Sequence, residues 1–407
     1  MTSFLKSLAK VPMFWVFVAI CLIYGTASLG MPAEIDRYAI VTAVGIDMLP
    51  EEEQYEISLL TFIPIAEQGF AETYKVVSSK GRSISEAIDF AGLHLGREIG
   101  LSHVKTVVLN REILNENLSK ILDYLSRSEH LVSSTKLIST DASAKEFLQA
   151  AQSLDSGSAI KISELINFND EYIYATDSSF ESFFKGYFGP TRVSVMPFLT
   201  LKSSKSEGLT AVGDQGEQSS GGQSAQSKEI VNNGDAIIFK DGKQKVMVDG
   251  IDMKKLNLVH GNFNIGTIVL ENYSDDHFDN ATLTFEIVEK VMRYRVDYQN
   301  GIPVVGLSSR LVVTLSEAEN QQGMVAKNIE FDSVDQKMLE AIKQKVKSLM
   351  GEAIVIMRDN QVDICDFYTL LHNHDKREFS HFLSLLEDQN DYLNRIVFKV
   401  SVDVFVK

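Results

Sequence analysis

From Val11 to Ala33 the chain reads VPMFWVFVAICLIYGTASLGMPA without one charged side chain, and a large polar body follows it. As a helix rising about 1.5 Å per residue, such a run reaches roughly 30 Å, enough to cross the hydrocarbon core of a bilayer. Lys6 and Lys10 precede it while Glu34 and Asp36 follow, a charge order that keeps the start of the chain in the cytoplasm and exports everything after residue 30. Trp15 and Tyr24 fall where interfacial rings sit, with Phe17, Ile20 and Leu22 in the apolar stretch between them. Small residues Gly25, Thr26, Ala27 and Ser28 also suit a signal peptidase, so two readings stand, and the length of the run favours a retained anchor. Lipidation at Cys21 is excluded, because a lipobox needs a small residue where Ile20 stands.

The exported body has to fold in water without disulfides. Cys21 sits in the apolar run and Cys365 in the distal body, so the two cannot pair, and Cys365 reads as a small core residue. With 44% hydrophobic and 23% charged residues in 407, there is material for a large core and two or three domains. Lys plus Arg number 39 against 55 for Asp plus Glu, and the net charge of −16 argues against nucleic acid as a partner.

Patterning predicts a body of sheets with packed helices, of the α+β class. A continuous apolar run from Tyr38 to Ile46 reads as a buried strand, the acidic tip Glu51 to Glu53 as a hairpin turn, and residues 101–110 as another strand. Ser83 with Glu86, and Ser143 with Glu146, are N-terminal caps of two helices; Leu114, Leu118, Ile121, Leu122 and Leu125 stripe a third. Between 203 and 229 the sequence is Ser, Gly, Gln and Glu with almost no bulky apolar side chain, which predicts a disordered insertion. Asp241-Gly242 and Asn300-Gly301 are hairpin turns. Ser333 and Gln336 open a long helix through Met338, Ile342, Val346 and Leu349, and Phe398, Val400, Val402, Val404 and Val406 share one face of a closing strand. The resulting division is an anchor over 1–33, an α/β domain over 34–190, a middle domain over 191–275 and a C-terminal α/β domain over 276–407.

Motifs that carry chemistry are missing from the sequence: no H-E-x-x-H, G-x-S-x-G, P-loop or dinucleotide fingerprint occurs. His372 and His374 read as solvated residues at a helix end, Ser102 with Lys105 and Ser133 with Lys136 lie on expected strands, and Asp275 with Asp276 lies in a turn. No catalytic, cofactor or metal residue is expected. His103 and Lys105 should project from one face of their strand, as a polar sheet face or a partner contact.

Several phrases taken in order resemble the Ger(x)C family, the C subunits of spore germinant receptors. They are Glu34-Ile35, Ala39-Ile40-Val41-Thr42-x-x-Gly45-Ile46-Asp47, Leu101-Ser102-His103-Val104-Lys105-x-Val107-Val108, and Leu122-Asp123-Tyr124-Leu125-x-Arg127. Distally, Asp235 to Lys240, Asn300-Gly301-x-Pro303 and Gln361-x-Asp363-Ile364-x-x-Phe367 continue the series. The family's lipidated cysteine is absent, with Ser28-Leu29-Gly30-Met31 in its place. The resemblance implies a three-domain α/β body and a non-enzymatic subunit on the outer face of the spore inner membrane. It also implies partnership with A and B type integral membrane subunits, and no cofactor or small-molecule ligand of its own. The competing readings are an envelope hydrolase and a membrane-anchored scaffold.

Overall fold

The computed structural model describes residue 15 and residues 38–63, 73–128, 131, 133–153, 158–169, 171–204, 227–261, 263, 265–275, 278–319 and 335–407. Among the described residues no helix is long and apolar enough to cross a membrane. The expected anchor lies outside them except for Trp15, and so does the insertion between Ser204 and Ser227.

In chain order the elements are β1 (Tyr38–Leu49), β2 (Gln54–Ile63), β3 (Thr73–Gly81), α1 (Ile84–Leu95), β4 (Glu98–Gly100), β5 (Thr106–Asn110), α2 (Leu118–Arg127) and β6 (Lys136–Thr140). Next come α3 (Ala144–Ser153), α4 (Ser158–Asn167), α5 (Phe180–Phe188), β7 (Val193–Ser204), β8 (Ser227–Val231), β9 (Ala236–Lys240), β10 (Lys243–Val248) and α6 (Gly250–His260). The chain ends through β11 (Thr267–Tyr273), β12 (Ala281–Gln299), β13 (Ile302–Glu319), α7 (Gln336–Asn360), α8 (Phe367–His374), α9 (Lys376–Ser384), α10 (Tyr392–Arg395) and β14 (Val397–Val406).

Ten strands form one sheet in the order β10-β9-β7-β6-β5-β1-β2-β3, with β4 added to β1 and β8 to β7. Its centre is parallel from β1 through β5 and β6 to β7, and its flanks are antiparallel. Parallel neighbours need crossover connections, and here these carry helices that cover both faces. On one face Ile84, Ala87 and Ala91 of α1, Leu118, Ile121, Leu122 and Leu125 of α2 and Phe183 of α5 bury against Val41, Val44 and Ile46. On the other, Phe147, Leu148 and Ala151 of α3 and Ile166 of α4 bury against Ala43, Leu60, Val108 and Ile138. β1 serves both cores because alternate side chains leave a strand on opposite faces, and the register shift between Val41 and Ala43 returns Val44 to the side of Val41.

The second sheet has the order β11-β12-β13-β14. Its β12–β13 hairpin turns at Asn300-Gly301, whose φ values of 53° and 79° are the left-handed pair that the Asn-Gly sequence predicts. Asp241-Gly242 joins β9 to β10 in the same way, with φ of 50° and 80°. Helix α7 buries Met338, Ile342, Val346, Met350, Ala353 and Met357 against one face of the second sheet, whose other face is solvated. The first sheet runs through residue 190, the expected boundary: β7 to β10 belong to it, while Met253, Leu256, Leu258 and Val259 of α6 enter the second core.

Two local expectations need correction. Residues 101–105 are a turn, and the strand begins at Thr106. Leu101 and Val104 are both buried there, with the Val104 amide donating to the Leu101 carbonyl at 3.1 Å, so the apolar side chains meet at turn spacing and not in alternation. The long helix α7 is capped by Asp335, whose carboxylate accepts from the Met338 amide at 2.7 Å, and not by Ser333, which lies outside the described residues.

Candidate functional site

Parallel strands in an open sheet direct their carboxyl ends to one edge, and ligand crevices form there. In this chain the ends of β1 and β5 open into a cleft of about 770 Å³ whose wall includes Met48, Tyr55, Arg82, Asn110, Asn117 and Lys120. Its polar groups hold one another: the Tyr55 hydroxyl donates to Asn117 Oδ1 at 3.5 Å, the Lys120 ammonium donates to the same oxygen at 3.4 Å, and Asn110 Nδ2 donates to the Ala142 carbonyl at 2.8 Å. Burial pushes the Tyr55 phenol up from its ordinary value, which leaves it neutral and poorly suited to serve as a base.

Beside this cleft the Gly45-Ile46-Asp47 phrase has a structural use that spacing alone does not reveal. Buried Asp47 caps a distant helix: its two carboxylate oxygens accept from the Ala144 amide at 2.8 Å and the Lys145 amide at 3.1 Å at the start of α3. Burial raises its pKa, opposed by those two amides. Ser143 adds the expected cap to the Glu146 amide at 3.1 Å. Gly45 lets the helix come this close, because a Cβ there would stand 2.9 Å from Ala144 Cβ and 3.1 Å from Leu148 Cδ1. Gly45→Val should therefore lower unfolding free energy by about 2–3 kcal/mol through overpacking. Denaturant melts of the detergent-solubilised chain read this directly, and an unchanged midpoint would refute the close approach.

A second cleft of about 500 Å³ lies where the two sheets meet, walled by Asp177, Lys185, Ser194, Asn257, His260 and Asp363 among others. The joint is built from buried polar contacts. Asn257 Nδ2 donates to the Ile173 and Ala175 carbonyls at 2.8 and 2.7 Å, the Ile173 amide donates to the Ile265 carbonyl at 2.8 Å, and the Tyr174 hydroxyl meets Thr267 Oγ1 at 2.7 Å. The buried Lys290 ammonium donates to the Asn257 carbonyl, and the Tyr294 hydroxyl donates to the Val259 and His260 carbonyls. These are the last carbonyls of α6, where the negative end of the helix dipole favours donors and cations. Burial pulls the Lys290 pKa down to about 7, and burial with the Lys290 charge lowers that of His260. Asp363, also buried, accepts from the Phe367 and Tyr368 amides at 3.0 and 2.8 Å and from the Tyr392 hydroxyl.

None of these groups forms a nucleophile–base pair. Ser102 and Ser133 occupy turns, His372 and His374 end helix α8, and among the described residues no group of three His, Cys, Asp or Glu side chains could hold a metal. Cys365 is partly buried with its Sγ 4.0 Å from Met357 Sδ, and burial pushes its thiol up, so it is an inert core residue. His103 and Lys105 are exposed on the 101–105 turn. Backbone bonds pin that turn to the sheet: the Lys105 amide donates to the Thr42 carbonyl and the Lys136 amide to the Lys105 carbonyl, each at 2.8 Å. No local pattern in the sequence marks Asn257, Lys290 or Asp363 as joint residues, although Asp363 lies in the Gln361-x-Asp363-Ile364-x-x-Phe367 phrase.

Both halves of this architecture match spore germination proteins. Residues 32–201 match the family described as spore germination protein N-terminal domain, and residues 233–407 match that described as spore germination B3/GerAC like, C-terminal. The chain belongs to the Ger(x)C family, the C subunits of spore germinant receptors. A search of curated proteins returns no match. Among solved structures the crystal structure of the GerBC protein is similar, with a TM-score of 0.50 and 12% identity over 89% of this chain and 96% of that one, which supports the fold.

Proposed function

We propose that this chain is a non-enzymatic, membrane-anchored subunit of a spore germinant receptor. It would couple nutrient sensing to germination through contacts with A and B type integral membrane subunits, with its body on the outer face of the spore inner membrane. The observation that carries the reading is the family match over both halves, 32–201 and 233–407. The uncharged run at 11–33 supplies a means of attachment, stronger than a single acyl chain. Polar clusters that a catalytic reading would need are instead engaged in capping helices and joining the two sheets.

His103 and Lys105 are the partner contact we favour, because the turn holds them out from a fixed backbone. Affinity-tagged chain recovered from spore membranes should bring a multi-span protein with it. Lys105→Glu should lower that recovery about threefold or more without moving the melting temperature, as for charges at an interface rim. Recovery without any integral membrane protein counts against the receptor reading, whereas normal recovery by the variant counts only against this contact.

A further inference from the structure

Among the described residues the closing strand β14 lies at the edge of the second sheet, paired on one side only, with β13. Natural sheets protect such edges with charges, lysine above all. The edge strands of the first sheet follow that rule: β3 carries Lys75 and Lys80, and β10 carries Lys243 and Lys245. β14 reads VFKVSVDVFV and carries, in place of two lysines, one lysine and one acid, Lys399 and Asp403. About Ser401 the pattern is symmetric in kind: Val400 answers Val402, Lys399 answers the opposite charge of Asp403, and apolar Phe398 and Val397 answer apolar Val404 and Phe405. Lys399, Ser401 and Asp403 are exposed on the solvated face, where Val397 and Phe405 are 45% and 46% exposed, and on the opposite face Phe398, Val400 and Val404 are only partly buried.

We propose that a second copy of this chain pairs antiparallel with β14 about a two-fold axis at Ser401, joining two four-stranded sheets into one of eight strands. In that register Lys399 of each copy lies opposite Asp403 of the other, Val397 opposite Phe405, Phe398 opposite Val404 and Val400 opposite Val402. Residues directly opposed in an antiparallel pair share a face and interact. A slip of one residue would set the solvated face of one copy against the core face of the other, and a slip of two would place Val397 opposite Asp403 or Lys399 opposite Phe405. Charge and apolar matching therefore choose a single register. Arg310 of β13 lies beside Asp403 with its guanidinium 4.7 Å from the Phe405 ring, so Asp403 has a cation on its inner flank and would gain Lys399 of the second copy on its open one. A strand-to-strand contact is small for a stable interface, so weak self-association is expected in solution, strengthened where both copies are confined to one membrane.

Cross-linking of the full chain in detergent tests this, in a Cys21→Ser background. Ser401→Cys places two thiols on the axis with Cα atoms about 4.5–5.5 Å apart, within disulfide reach. Lys399→Cys, equally exposed, places them about 13 Å apart, out of reach. Oxidation should link the first variant and not the second; equal linking, or none in either, overturns the proposal. Lys399→Asp and Asp403→Lys should each weaken dimerisation roughly tenfold, because two like-charge pairs replace two opposite ones, and the double exchange should restore it. Failure of the double exchange to rescue overturns the register even if a dimer exists.

Discussion

Asp363→Ala is expected to lower the unfolding free energy by about 3–5 kcal/mol, a large fraction of what typically holds a domain together. Helix α8 begins without a local cap, since Asp366 at its N-terminal boundary sits at φ 55° and makes no side-chain bond to the helix. Asp363 supplies that function from three residues upstream, satisfying the Phe367 and Tyr368 amides. The same carboxylate receives the buried Tyr392 hydroxyl of α10, whose own pKa burial and Asp363 push upward. Truncation would leave two amides and a phenol without an acceptor in a dry site. Asp363→Asn keeps one acceptor oxygen but turns an amide donor towards donors, so an intermediate loss follows. Burial holds the Asp363 carboxyl above its ordinary value despite these donors. A raised folded pKa gives stability that is full below the unfolded value and falls as pH rises through the folded one. Relative to Asp363→Asn, the wild type should therefore lose stability as pH rises from about 4. Thermal and urea unfolding between pH 4 and 7 measure both effects, and an alanine penalty below about 1 kcal/mol would mean that the loop is held by other contacts.

Most of the sheets and helices were legible because local rules and the tertiary fold agree. The Asp-Gly and Asn-Gly turns adopt the left-handed pair their sequences favour, the Ser83 cap on the Glu86 amide forms at 3.1 Å, and β14 alternates as its valines suggest. Misreadings occur where the periodic signal is ambiguous or the partner is remote. Alternation at 101–105 looks like a strand, yet Leu101 and Val104 bury together in a turn. Helix α5 lies outside the expected elements although its rings form one stripe, Phe180, Phe183, Phe184, Tyr187 and Phe188 at i, i+3, i+4, i+7 and i+8; of these Phe183 is buried and Phe188 is 59% exposed. Composition marks the insertion inside the expected 191–275 segment but not which strands pair across it, Thr200–Ser204 with Ser227–Val231. Least legible are the buried polar residues. Asp47 caps a helix almost a hundred positions away, and no local pattern announces that contact.

Lys290→Met should flatten the rise of stability with pH that the wild type shows between about pH 7 and 10, a difference of up to roughly 4 kcal/mol. The lysine is inside because β12 slips: its inward positions run Leu283, Phe285 and Ile287, the pairing with β13 shifts between Ile287 and Glu289, and the alternation resumes one residue out of phase with Lys290 facing the core. Burial there costs the charged form heavily, hence the pKa of about 7, while the α6 carbonyls offset part of the cost. Below pH 7 the folded and unfolded chains both carry the proton, and the full penalty of the buried charge is present. As pH rises from about 7 towards the unfolded value near 10.4, the folded chain releases the proton while the unfolded chain keeps it, so stability increases. Methionine retains the bulk of the stem and has no proton to release. The variant should thus be more stable than the wild type near pH 6, with the gap closing towards pH 10. Losing the donor to the Asn257 carbonyl offsets both ends of the comparison alike and leaves the slope as the diagnostic quantity. Parallel stability curves for the two chains from pH 7 to 10 would mean that the helix carbonyls keep the ammonium charged throughout, making Lys290 a fixed cap on α6 and not a titrating group in the joint.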